Sequence, residues 1–148
     1  MIAYPAHFEQ DPDHPHLWGV TIPCLDGRPD GAATCGTGLD EARRMAREQV
    51  EIWLCIHSDK GQEFPKPGPL PDEPGWELVR PSLRVWIALM LKALRKARGW
   101  SQVEAARRLG ITQPVYAKME DPRKANPTLA TLDRVARAFE VDLALEVA

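Results

Sequence analysis

Ser101-Gln102-Val103-Glu104-Ala105-Ala106-Arg107-Arg108-Leu109-Gly110-Ile111-Thr112-Gln113-Pro114-Val115-Tyr116-Ala117-Lys118-Met119 is the stretch whose reading decides the fold. Ser101 and Glu104 stand three apart, the S-x-x-E spacing of a capping box, so a helix starts at Gln102. Gly110 stops it, because glycine tolerates the positive φ that a tight exit needs. Thr112 is placed to cap a second helix, and Pro114 falls in its first turn, where a missing N–H costs little. With Gln102 as the first position of this two-helix unit, Ala106 is the small residue where the backbones approach. Ile111 is the buried apolar residue after the turn, and Tyr116 with Met119 anchors one face of the second helix.

The same pattern extends outward. Leu83, Ile87, Met90, Leu91 and Leu94 space a preceding helix that ends near Arg98-Gly99. Thr128 caps a following helix, with Leu129, Leu132, Val135, Ala136 and Phe139 expected to face inward. Val141, Leu143, Leu145 and Val147 then alternate with Asp142, Ala144 and Glu146, which predicts a terminal strand over Val141–Val147. This strand is expected either to pair with its copy in a second chain or within its own.

Upstream lies a different composition. Pro65, Pro67, Pro69, Pro71, Pro74 and Pro81 predict a partly extended linker over residues 58–81. Residues 1–75 hold 6 Lys and Arg against 13 Asp and Glu, a net of −7, whereas residues 76–148 hold 13 against 8, a net of +5. That asymmetry suggests two domains with different partners, the basic half suiting a polyanion and the acidic half a basic protein. Ile2, Tyr4, Ala6 and Phe8 alternate as a first strand, with Pro5 implying an edge position or a bulge. Residues 10–16, rich in Asp, Pro and His, read as a hairpin loop, followed by a strand on Trp18, Val20 and Ile22. Asp26-Gly27 and Asp30-Gly31 bracket an irregular turn before a short strand over residues 32–36. Thr37 with Asp40 resembles a capping box for a helix packing through Ala42, Met45, Ala46, Gln49, Val50, Trp53 and Leu54. The expected class is α+β. A β-β-β-α domain spans residues 1–57, the linker 58–81, and an all-helical domain with a short C-terminal strand 82–148.

Residues 99–102 through 126–129 resemble the Cro/CI (XRE-type) helix-turn-helix family, over about 60 residues to Phe139. The resemblance implies a dimer on operator DNA, with the second helix of the unit in the major groove. Carried over by position, it places Gln113, Pro114 and Lys118 toward base edges and Gln102 on phosphate, with Thr112 and Lys124 as further backbone contacts. Pro114 departs from the polar residue usual there. It cannot hydrogen-bond a base but can pack on a thymine methyl, so base readout falls to Gln113 (adenine) and Lys118 (guanine). Lys92, Arg95, Lys96, Arg98, Arg107, Arg108, Arg123 and the two lysines already named supply candidate phosphate contacts.

The segments 4–9, 18–23, 36–42 and 61–67 resemble HicB-type antitoxins, which carry a reduced RNase H-like domain ahead of a DNA-binding domain. The segment Cys24–Gly31 departs from that pattern, replacing a compact turn with a longer, charged one. The resemblance implies a HicA-type toxin as partner, a small basic mRNA interferase, neutralised by direct binding. Glu9, Asp11, Asp13, Asp26 and Asp30 sit where such a partner could reach them, and Trp18 is either its aromatic anchor or simply core. Together the halves predict a cytoplasmic, oligomeric, non-enzymatic antitoxin that represses its own operon and carries no cofactor or metal.

Two other readings stand beside it. One is a stand-alone dimeric repressor with a ligand- or protein-sensing N-terminal domain. The other takes His7, Glu9, Asp11, Asp13, His14 and His16 as the metal site of a nuclease. Against the nuclease, the neighbouring strands 19–23 and 32–36 carry no acid to converge on a metal. Cys24, Cys35 and Cys55, odd in number and widely spaced, read as reduced thiols and not as a zinc site. No apolar run approaches a membrane span, and the N-terminus lacks the basic-then-apolar pattern of a secretion signal.

Overall fold

The computed structural model describes residues 1–25 and 31–144, which form two compact units, Met1–Ser82 and Leu83–Ala148. In the first, β1 (Tyr4–Gln10), β2 (Leu17–Ile22) and β3 (Ala32–Thr37) lead into α1 (Leu39–Lys60), and β4 (Trp76–Val79) follows. The sheet is antiparallel throughout, in the order β3-β2-β1-β4. Period-two alternation puts Tyr4, Ala6, Phe8, Val20 and Ile22 in the core. The helix buries Ala42, Ala46, Val50 and Leu54, one residue per turn. Gly36 is what lets it approach: a Cβ there would sit 2.4 Å from the Ala42 amide nitrogen.

Three expectations for this unit change. The expected linker over residues 58–81 carries regular structure at both ends, with residues 62–75 between them free of helix and strand. α1 runs on to Lys60 and is closed by Gly61 at φ 66°, and Trp76–Val79 adds a fourth strand to β1, Val79 opposite Tyr4 and Trp76 opposite His7. The prolines masked a strand of only four residues at the sheet edge, where proline neighbours are tolerated. The Tyr4 hydroxyl ties the intervening segment down by donating to the Pro65 carbonyl at 2.7 Å, and burial pushes that phenol up to about 12. Second, β1 is not an edge strand. Pro5 is accommodated because β2 pairs only from His7 onward, so at Pro5 the strand has a single neighbour. Third, Thr37 does not cap α1. Gly38 is the N-cap, and the Glu41 carboxylate reaches back to accept the Thr37 N–H at 2.7 Å. Hydrogen bonding to that amide holds Glu41 below the usual carboxylate range.

The second unit comprises α2 (Leu83–Ala97), α3 (Gln102–Leu109), α4 (Gln113–Met119) and α5 (Leu129–Phe139). Its core gathers Leu91, Ala105, Ala106, Leu109, Tyr116, Met119, Val135 and Phe139, with Trp100, Ile111 and Val141 packed against it. Ser101 caps α3 by accepting the Glu104 N–H at 3.1 Å, and Thr128 caps α5 by accepting that of Thr131 at 3.2 Å. Leu129, expected inward, is 72% exposed: as the first residue of α5 it falls before the turn that meets the core. Residues 141–144 form no strand; Val141 is spent on the helical core, and the rest of the expected strand lies outside the described residues. All three cysteines are free. Among the described residues no helix is long and apolar enough to cross a membrane.

Candidate nucleic-acid interface

The turn between α3 and α4 is set by Gly110 at φ 68°, whose N–H returns to the carbonyls of Ala106 and Arg107. The Ile111 N–H also reaches the Ala106 carbonyl, at 3.0 Å, so the chain reverses over one buried alanine. Thr112 occupies the N-cap of α4, its carbonyl accepting the Tyr116 N–H, but its hydroxyl makes no capping bond. Tyr116 and Met119 turn inward, which leaves Pro114, Val115 and Lys118 on the exposed side.

Gln102 and Gln113 are not independent. Gln113 Nε2 donates to Gln102 Oε1 at 2.9 Å, and Gln102 Nε2 donates to Glu120 Oε2 at 3.1 Å. Glu120 is buried and receives a two-pronged guanidinium from Arg95, at 2.7 and 2.9 Å. A further Arg95 N–H goes to the Trp100 carbonyl at 2.9 Å. The sequence reading gave Arg95 to phosphate. The structure gives it to Glu120, whose hydrogen bond raises the guanidinium pKa further. The Gln102 amide is likewise engaged on both its nitrogen and its oxygen, so its side chain orients Gln113.

Lys124 is exposed, its Nζ 3.5 Å from Asp121. The Asp121 carboxylate accepts the Arg123 N–H and the Asp121 carbonyl accepts that of Lys124, fixing the loop that presents the lysine. Arg107 and Arg108 both bind Glu104, which holds that carboxyl below its ordinary range. Sequence reasoning missed the Arg95–Glu120 pair because its members stand 25 residues apart. It also passed over Val115, 50% exposed on α4, whose signal was an apolar residue off the Tyr116–Met119 face.

In the first unit, Glu9 is exposed at the end of β1. Asp11 braces the hairpin loop by accepting the N–H groups of Asp13 and His14, at 2.9 and 2.8 Å, which holds its carboxyl down. Asp13 is exposed. Trp18 is half-buried on the same sheet face as Val20 and Ile22, in register with Gln10 and Gly36. Asp26 and Asp30 lie outside the described residues. Among the described residues no three His, Cys, Asp or Glu side chains gather as a metal site.

Residues 91–145 match the Helix-turn-helix family. Over 55 residues the chain is 46% identical to Antitoxin HigA1 of Mycobacterium tuberculosis, in the CDC 1551 / Oshkosh and H37Rv strains alike. That alignment covers 37% of this chain and 36% of the relative, so the chain spans about a third of the length of the curated relatives it matches. Among solved structures, a chain of the "HipA-HipB-O2-O3 complex" is 26% identical with a TM-score of 0.39, covering 46% of this chain and 94% of that one. One titled "MDT Protein" is 28% identical with a TM-score of 0.40, covering 47% and 96%. The second unit therefore carries a helix-turn-helix domain over residues 91–145. Over 55 residues the chain is similar to an antitoxin.

Proposed function

We propose that this chain is an antitoxin that represses its own operon, binding operator DNA through α4 and a toxin through its N-terminal unit. The carrying observation is the braced recognition helix. α4 exposes Pro114, Val115 and Lys118, while Gln113 is held by Gln102, itself held by the buried Glu120–Arg95 pair. Side chains positioned before binding lose less entropy on binding, which is what sequence-selective readout requires. Lys118 and Lys124 line one groove beside α4, and Thr112 is exposed at the N-cap of that helix. The antitoxin part of the reading is supported by the likeness to HigA1 and by the acidic β-β-β-α unit ahead of the DNA-binding domain. We take that unit as HicB-like and its partner as a HicA-type toxin, a small basic RNase. An acidic surface carrying Glu9 and Asp13 speeds encounter with such a protein and opposes its contact with RNA. In this reading the chain does no chemistry of its own, and it dimerises on a two-fold operator.

Co-expression with the product of any small reading frame found beside its gene tests the proposal. The chain is expected to co-purify with that product and to relieve its growth arrest. If the adjacent product neither binds nor harms growth while operator binding persists, the chain is a stand-alone repressor. That second reading has its own support: the family match is confined to residues 91–145.

A further inference from the structure

An open groove of about 320 Å³ lies beside α4. Its lining combines apolar Ile111, Val115 and Met119 with cationic Lys118, Lys124 and Arg134. Ile111 and Met119 belong to the domain core or pack on it, but Val115 does not: it is 50% exposed, beside exposed Pro114. A β-branched residue is a mediocre helix former. Half-exposed on a seven-residue helix, it therefore gains little from local propensity or from packing. Cations around an apolar spot fit a polyanion that carries an apolar group within reach of its phosphates. Duplex DNA offers one in its major groove, the thymine C5-methyl. RNA lacks that methyl, and its deep, narrow major groove excludes side chains.

We propose that Val115, flanked by Pro114, reads a thymine C5-methyl in each operator half-site, while Lys124 and Arg134 hold phosphates of the adjoining strand. This rests on the reading of α4 as the base-contacting helix. It adds a specificity element, thymine over both cytosine and uracil, and a backbone contact from α5.

The test uses the full chain and a duplex selected by it from a random DNA pool. Each thymine is replaced in turn by deoxyuridine, which deletes only the methyl. One thymine per half-site is expected to matter, with about a fourfold loss of affinity on replacement, the worth of one buried methyl-sized group. Val115→Ala is expected to weaken binding to the thymine duplex by a similar factor and to stop distinguishing thymine from deoxyuridine at that position. Its melting temperature is expected to stay unchanged, since the side chain is exposed. Arg134→Ala is expected to weaken binding evenly across sequences and to lower the salt slope by about one unit.

Retained thymine discrimination in Val115→Ala, or no sensitivity to deoxyuridine at any position, overturns the inference while leaving DNA binding intact. Loss of dimer mass in Val115→Ala assigns the side chain to a second copy and overturns it too. Failure to select any duplex over bulk DNA sinks the inference together with the reading on which it rests.

Discussion

At the scale of single residues, the buried network behind α4 makes the sharpest predictions. Arg95 and Glu120 keep only 14% and 4% of their side-chain surface exposed. Arg95→Met strands the Glu120 carboxylate and is expected to cost about 3 kcal/mol in a urea melt. Adding Glu120→Leu removes the stranded charge and is expected to restore much of that stability. It also frees Gln102, so operator affinity stays low, and recovery of affinity in the double variant would show that Gln102 needs no brace. Tyr116 behaves oppositely. Its hydroxyl is buried and makes no well-formed hydrogen bond among the described residues; burial first, and the Glu120 carboxylate after it, raises its pKa. An unmet polar group costs free energy, so Tyr116→Phe is expected to be neutral or to stabilise by up to about 1 kcal/mol. None of this pairing is visible in sequence. Glu120 follows the last residue of α4, and only the fold brings Arg95 to it.

Among the elements, what was legible was what local chemistry dictates. The Ser101 and Thr128 caps, the Gly110 turn and the inward Tyr116 and Met119 follow from residues within a few positions of one another, and the structure has them. Strand β4 was hidden because a four-residue strand between prolines has no periodicity to read, and its partner β1 lies some 70 residues away. Leu129 misled because alternation and helical spacing cannot say which first-turn residue reaches the core. Two predictions belong here. Gly36→Ala drives a methyl into the Ala42 backbone and is expected to destabilise the first unit by about 2 kcal/mol, read as a lowered denaturation midpoint. The Arg43–Glu77 pair joins α1 to β4 at 2.7 and 2.9 Å and holds Glu77 below its ordinary carboxylate range. A lowered folded-state pKa gives stability that is present above the unfolded value and lost as pH falls through the folded one. The pair is partly exposed, so the effect is small. Glu77→Gln is expected to lower stability at pH 7 and to flatten its decline under acid, checked by melts at both pH values.

Across the whole chain, the acidic and basic halves anticipated from composition coincide closely with the two units, which part at Ser82–Leu83. In the proposed reading one ligand is a polyelectrolyte that releases condensed counterions and the other a folded protein, so the two respond differently to salt. Operator affinity is expected to fall steeply with ionic strength, with a logarithmic slope of about −0.9 per phosphate contacted. Toxin affinity is expected to fall more gently, through a slower association rate. A fluorescence titration across salt concentrations separates the two, and equal slopes would contradict the division of labour. The proposed partner surface of the first unit was the least legible part. It depends on which acids are already engaged, as Asp11 is in its loop, and sequence does not tell engaged acids from open ones.

The Gln113–Gln102 hydrogen bond has a consequence for base choice. An amide has two N–H donors on its nitrogen and two lone pairs on its oxygen. One of Gln113's donors is already given to Gln102. What remains is one donor and one acceptor, the complement of adenine's N7 and N6 amino group. Guanine presents two acceptors there and would need two donors from a residue that has one left. If α4 lies in the major groove as proposed, a contact made wholly inside the protein thus narrows the two-point readout of Gln113 to adenine and leaves guanine to Lys118.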